Sequence, residues 1–172
     1  MTDDLRLPDP LPAARALPPG SLVIVRAREP KRRANLALQL RPVAWARGLI
    51  LLIADDSQMA RAIGANGLHL SEARAQEAWH WRAKNLHWLI TASAHSLRAV
   101  LAAQNADAVL LSPVFATQSH TAARVLSPAR ARLMARQMKT PLFALGGVTA
   151  RNAGLLYGFS GIAAISALNP NS

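Results

Sequence analysis

Leu142-Phe143-Ala144-Leu145-Gly146-Gly147-Val148-Thr149, followed by Gly161-Ile162-Ala163-Ala164-Ile165-Ser166, is the stretch around which the chain is organised. Residues 142–145 are apolar at every position, as in a parallel strand buried on both faces. Gly146-Gly147 then permits positive φ and a close approach of backbone to ligand. Thr149 is a candidate N-cap for a helix over residues 150–156. A strand, a glycine pair and a helix start together leave several amide N–H groups unpaired at one point, which suits a phosphate. The plainer alternative is a strand-to-helix turn that merely needs glycine.

Working outward, the pattern repeats. Strands are expected over residues 22–26, 49–53, 67–70, 87–91, 107–111, 142–145 and 161–165. Helices are expected between them, over residues 31–46 with a break at Arg41-Pro42, then 57–63, 72–83, 97–104 and 128–138. Pro128 suits the first turn of its helix. Strands alternating with helices this regularly make parallel βαβ units, and the fold class is α/β. A (β/α)8 TIM-type barrel rarely falls below about 200 residues and often holds a phosphate at its last two strands. With 172 residues and seven strands, this chain reads as such a barrel shortened at both ends. Residues 1–20 hold Pro8, Pro10, Pro12, Pro18 and Pro19, leaving only residues 13–17 for a short helix. They form a leading proline-rich segment, and residues 21–172 form the barrel.

The composition narrows the function. Hydrophobic content of 51% marks a globular chain, and the absence of cysteine removes disulfides, thiolate metal sites and a cysteine nucleophile. No apolar run reaches membrane-spanning length, and the N-terminus lacks a signal-peptide pattern, so a cytoplasmic protein is expected. Of the twenty basic residues seventeen are arginine, and the net charge is +11. Arginine suits bidentate phosphate contacts, which raises nucleic acid as an alternative. The charge is dispersed, however, and the aromatic residues are not interleaved with it as in a stacking platform, so a solvated basic surface is expected instead.

The loops after the strands resemble those of the thiamine phosphate synthase family and its relatives, the thiazole tautomerases. The resemblance runs from about Leu22 to Leu168. It rests on ordered pieces: Ile24-Val25-Arg26-Ala27-Arg28, Ile53-Ala54-Asp55, Gly67-Leu68-His69-Leu70, Ser93-Ala94-His95-Ser96, Ser112-Pro113-Val114-Phe115-Ala116-Thr117, Ala144-Leu145-Gly146-Gly147-Val148 and the final Gly161 strand. The resemblance implies a barrel that couples a pyrimidine diphosphate to thiazole phosphate with Mg2+, releasing diphosphate and making thiamine phosphate. Such chemistry needs cations around the leaving group and little acid/base work.

By position, the resemblance places Arg26 on the family's diphosphate-binding arginine and Arg28 on a nearby lysine. It places Asp55 on the first Mg2+ carboxylate and Ser93 on a serine that assists the diphosphate. Thr117 opens the family's Thr-x-Thr-Lys loop, with Ser119 at its second threonine. Gly146, Gly147 and Ser166 fall on the thiazole-phosphate cradle. The departures are equally specific. Ala54 replaces an asparagine, Ile24 a glutamine, and His120 the loop lysine, while Arg74 stands where the second metal carboxylate belongs. Mg2+ normally relies on one or two carboxylates plus substrate phosphates. Either Glu72 or Asp56 supplies the missing acid, or Arg74 pairs with the diphosphate directly. Otherwise the diphosphate half is inactive and the chain is a binder of thiazole phosphate or thiamine phosphate. In a tautomerase reading His120 is the candidate base, because the histidine of that mechanism is Pro113 here. His69, between Leu68 and Leu70, reads as a structural histidine at a strand end.

Both shortened ends fall on one seam, since the first and last strands of a closed barrel are neighbours. Thr2-Asp3 matches the end of the family's first strand. Residues 1–7 patch the open edge, or a partner subunit covers it in a homo-oligomer, or the start codon has been placed too far downstream.

Overall fold

A computed structural model describes residues 1–116 and 127–165. The described chain forms two compact units, one of residues 1–69 with 87–89 and Ile165, the other of residues 70–86 and 90–164. The first carries α1 (Leu11–Ala16), β1 (Leu22–Val25), α2 (Pro30–Arg47), β2 (Ile50–Ala54), α3 (Ser57–Ala62) and most of β3 (Gly67–Leu70). The second carries a 3₁₀ turn (Glu72–Glu77), α4 (Ala78–Lys84), most of β4 (Leu89–Ala94), α5 (Leu97–Ala102) and β5 (Ala108–Leu111). It continues with α6 (Pro128–Gln137), β6 (Leu142–Ala144), a second 3₁₀ turn (Ala153–Leu156) and β7 (Gly161–Ile162).

In the first unit β1, β2 and β3 pair parallel, with Val23 opposite Leu51, Val25 opposite Ile53 and Ala54 opposite His69. Successive side chains point to opposite faces. Val23, Val25, Leu51 and Ile53 pack on Leu36, Ala37, Leu40 and Ala44 of α2. Ile24 and Leu52, opposite each other in the register, alternate with them and are also buried. A strand covered on both faces has to be apolar throughout, which explains the unbroken Leu-Val-Ile-Val and Ile-Leu-Leu-Ile runs. Helix α2 begins on Pro30, whose missing N–H costs nothing there, and stops at Gly48 with φ +62°. In the second unit β4, β5, β6 and β7 pair parallel in chain order, with Ser93 opposite Leu110, Leu111 opposite Ala144 and Phe143 opposite Gly161.

One polar device recurs where strands begin. Asn66, just before β3, donates its N–H to the Leu51 carbonyl at 2.8 Å and accepts the Leu51 N–H on Oδ1 at 2.8 Å. Asp107, just before β5, treats Ile90 likewise, at 2.7 and 2.8 Å. Its other oxygen pairs with Arg82 Nε at 3.2 Å. Each side chain satisfies the first ladder N–H of a neighbouring strand, which would otherwise be buried without a partner.

Several expected boundaries move. Helix α2 runs unbroken through Pro42. The carbonyl that loses its bond belongs to Leu38, and both residues lie on the exposed side, where solvent satisfies it. Strand β4 starts at Leu89 rather than residue 87 and continues through Ala92-Ser93-Ala94. Cross-strand bonding to β5 overrides the weak strand preference of that sequence. The helix expected over residues 150–156 is the short 3₁₀ turn, and the last strand is two residues long. A Cβ at Gly161 would lie 2.6 Å from the Phe143 ring, so glycine there makes room for the aromatic side chain.

Gly67 is the tightest point of the first unit. A Cβ there would sit 2.0 Å from the Leu89 carbonyl oxygen and 2.7 Å from its nitrogen, both main-chain atoms that cannot swing aside. Gly67→Ala is expected to cost at least about 3 kcal/mol, read as a lower urea midpoint with an unchanged m-value.

Candidate functional site

Two groups of expected site residues are assembled, one in each unit. In the first, Arg26 follows β1 directly and Asp55 follows β2 directly, as the parallel register requires of residues just past neighbouring strand ends. The Arg26 side chain is about half exposed, and its Nη1 lies 3.8 Å from Asp3 Oδ2. Its main chain is held on both sides by one side chain. Thr2 Oγ1 accepts the Arg26 N–H at 2.8 Å and donates to the Arg26 carbonyl at 2.7 Å. Arg28 is exposed, with its N–H on Asp4 Oδ2 at 3.0 Å. Asp3 itself accepts from the main chain of Leu5 and Arg6 and pairs with the Arg6 guanidinium at 2.6 Å. Burial opposes its charge, but these hydrogen bonds outweigh burial and hold its carboxyl down at about 2.

Asp55 has φ +53°, a left-handed conformation that few residues other than glycine, asparagine and aspartate adopt readily. Its N–H donates to the His69 carbonyl at 2.9 Å. His69 is fully enclosed, and burial drives its pKa down to about 4, the negative Asp55 opposing and Arg26 assisting. It is the buried strand-end histidine expected from its apolar neighbours, neutral at ordinary pH.

The carboxylates considered for a second metal ligand are engaged elsewhere. Asp56 caps α3 by accepting the Met59 N–H at 2.9 Å and pairs with Arg33 at 3.4 Å. Glu72 accepts the His95 N–H at 2.6 Å. Arg74 is bound to Glu77 through Nε at 2.9 Å and Nη2 at 2.7 Å, and this guanidinium holds the Glu77 carboxyl below its ordinary range. Among the described residues no three ligating side chains converge. No metal-holding cluster of acids and histidines gathers at Asp55 among the described residues, so these residues do not fit a resident Mg2+.

The second group centres on the glycine pair. Gly146 and Gly147 have φ +89° and +67°. A Cβ at Gly146 would lie 2.9 Å from Pro113 Cα, and one at Gly147 would lie 2.5 Å from the Ala116 carbonyl oxygen. The loop after β5 thus rests directly on the turn after β6. Val114 and Phe115 donate their N–H groups to the carbonyls of Leu145 and Gly146, both at 3.1 Å. Pro113 packs here as a wall and offers no base. Asn152 clasps the turn, donating Nδ2 to the Gly147 carbonyl and accepting the Thr149 N–H, both at 2.8 Å. Thr149 is therefore not a side-chain cap. Among the described residues the N–H groups of Gly147 and Val148 have no acceptor. Ser93 is half-buried near the end of β4. Thr117, Ser119, His120 and Ser166 lie outside the described residues.

The sequence motif of the family described as thiamine monophosphate synthase matches residues 11–168. The chain belongs to that family. A putative thiamine-phosphate synthase 2 of Aquifex aeolicus is 32% identical over 151 residues, spanning 84% of this chain and 81% of that protein. A thiamine-phosphate synthase of Laribacter hongkongensis is 30% identical over 155 residues, spanning 87% and 74%. Among solved structures, a thiamine phosphate pyrophosphorylase from Pyrococcus furiosus superposes with a TM-score of 0.77 at 24% identity, covering 96% of this chain and 83% of that one. These matches bear out the resemblance, the TIM-type α/β fold and a transferase of thiamine biosynthesis. Among the described residues no helix is long and apolar enough to cross a membrane.

Asn152, Asp3 and Asp4 were not identified as site residues from sequence. Asn152 carries a local signal, an asparagine three residues beyond Thr149. The grip of Asp3 and Asp4 on the β1 loop is long-range and carries none.

His69 has a folded pKa below its unfolded value of 6.5, so the unfolded chain takes up a proton first as pH falls. Stability is full above pH 6.5 and is expected to decline by roughly 3 kcal/mol toward pH 4. Urea midpoints across this range test it, with His69→Gln flattening the decline.

Proposed function

We propose that this chain joins a pyrimidine diphosphate to thiazole phosphate, releasing diphosphate and forming thiamine phosphate. The observation that carries the reading is Arg26, anchored by its main chain at the end of β1 while its guanidinium remains half exposed. Arg26 and Arg28 supply fixed positive charge to the departing diphosphate, and an ionised arginine needs no proton transfer to do so. Ser93 adds a hydroxyl donor to the leaving group. Gly146 and Gly147, with the N–H groups of Gly147 and Val148, cradle the thiazole phosphate together with Ser166, Thr117 and Ser119. The bond to the pyrimidine's methylene carbon breaks as diphosphate leaves, and the thiazole nitrogen donates its electron pair to that carbon. His120 stands in place of a fixed cation and is charged only when protonated.

No step here passes through a metal ion, and Asp55 is assigned to orienting the site beside His69. Residues 21–172 form the synthase-like barrel in this reading, and residues 1–20 lead into it. Both substrates are phosphorylated and do not cross membranes unaided, which places the reaction in the cytoplasm. A second copy pairing along β7 is the homo-oligomer this reading accommodates. The second reading, a binder of thiazole phosphate alone, is favoured by the engagement of Arg74 with Glu77, which withdraws that cation from the diphosphate.

Synthesis of thiamine phosphate from the two substrates tests the first reading. Arg26→Ala is expected to lower kcat/KM for the pyrimidine diphosphate by about a hundredfold or more while leaving thiazole phosphate affinity unchanged. Binding of thiazole phosphate with no turnover of the unaltered protein would select the second reading.

A further inference from the structure

Three consecutive side chains near the N-terminus grip the loop that carries the two arginines. Thr2 holds the main chain of Arg26, Asp3 faces the Arg26 guanidinium, and Asp4 accepts the N–H of Arg28. The Thr2 N–H also donates to the Ile24 carbonyl at 2.9 Å, so one residue makes three bonds along the outer edge of β1. Thr2 is only 1% exposed. A buried hydroxyl that both donates and accepts takes the place of a neighbouring strand at this point. An apolar side chain of the same shape would remove the partner of both the Arg26 N–H and its carbonyl at this part-buried point. Asp4 extends the grip outward, its other oxygen lying 2.7 Å from Arg32 Nε.

We infer that Thr2 is a positioning residue, whose hydroxyl fixes the backbone of Arg26 and thereby aims its guanidinium at the anion it binds. The assignment rests on the reading of Arg26 as a diphosphate ligand. Asp3, ionised and 3.8 Å away, steadies the same guanidinium without covering it, since the side chain remains half exposed. The roles differ in chemistry: Thr2 acts through neutral hydrogen bonds to main chain, and Asp3 through charge.

The test compares Thr2→Val, which keeps shape and loses the hydroxyl, with Thr2→Ser, which keeps the hydroxyl. Inorganic diphosphate and thiazole phosphate are each titrated calorimetrically into the full chain, KM and kcat are measured, and hydrogen exchange of the Arg26 amide is followed. In Thr2→Val, diphosphate affinity is expected to fall and the KM for the pyrimidine diphosphate to rise, each by about tenfold, the worth of one to two hydrogen bonds. Thiazole phosphate affinity is expected to stay unchanged, and Thr2→Ser to match the unaltered protein. Equal loss of both ligands, no loss in Thr2→Val, or failure of Thr2→Ser to restore binding overturns the inference. If Thr2→Val does not fold, Thr2→Ser decides alone, and a tenfold loss of diphosphate affinity in it overturns the inference. Should the unaltered protein bind no diphosphate, the synthase reading falls. Arg26 amide protection lost in Thr2→Val and regained in Thr2→Ser then still upholds Thr2 as the residue that fixes Arg26, and its absence overturns that as well.

Discussion

Main-chain groups buried between two apolar layers have to find partners, and this requirement shapes the molecule from its strand starts to its site. Parallel strands covered on both faces cannot turn an unpaired N–H to water. Asn66 and Asp107 meet the need where β2 and β4 begin, each offering a side-chain oxygen and its own N–H. Thr2 meets it along the outer edge of β1, with a hydroxyl in place of a strand. The N–H groups of Gly147 and Val148 have no acceptor among the described residues, and the phosphate seat proposed for the turn after β6 draws on them.

The electrostatics of the first unit follow from where its acids are committed. Asp3 and Asp4 lie against the arginine loop, and Asp56 is spent on a helix cap and on Arg33. Asp55 lies beside a neutral histidine, and the described residues gather no cluster of acids that would hold a divalent cation. In the second unit Arg74 is paired with Glu77. A fixed guanidinium answers a diphosphate's charge directly, with geometry set by its planar fork.

Much of this was legible in the sequence because it is local. The strands at Leu22, Leu49 and Leu142 declare themselves by unbroken apolar runs, and Pro128 marks a helix start by backbone chemistry alone. The order of the loop motifs carried the family, since residues just past successive strands must match in register if the substrate is to be held the same way. Boundaries moved where the surroundings of a segment decide. Pro42 sits within α2 because that face of the helix is turned to solvent, and β4 extends through Ala-Ser-Ala because β5 lies alongside.

The sequence by itself determined the alternation of strand and helix, the positions of the two glycines and the identities of Arg26, Arg28 and Asp55 in their loops. These depend on local periodicity and on residue type, both of which a single chain displays. Only the tertiary structure decided that Thr2 serves as a strand partner, that Asp56 is paired with Arg33 and Glu72 with the His95 N–H, and that Gly147 lies against Ala116. Each of those is a contact between residues far apart in the chain, and close packing rather than spacing brings such residues together.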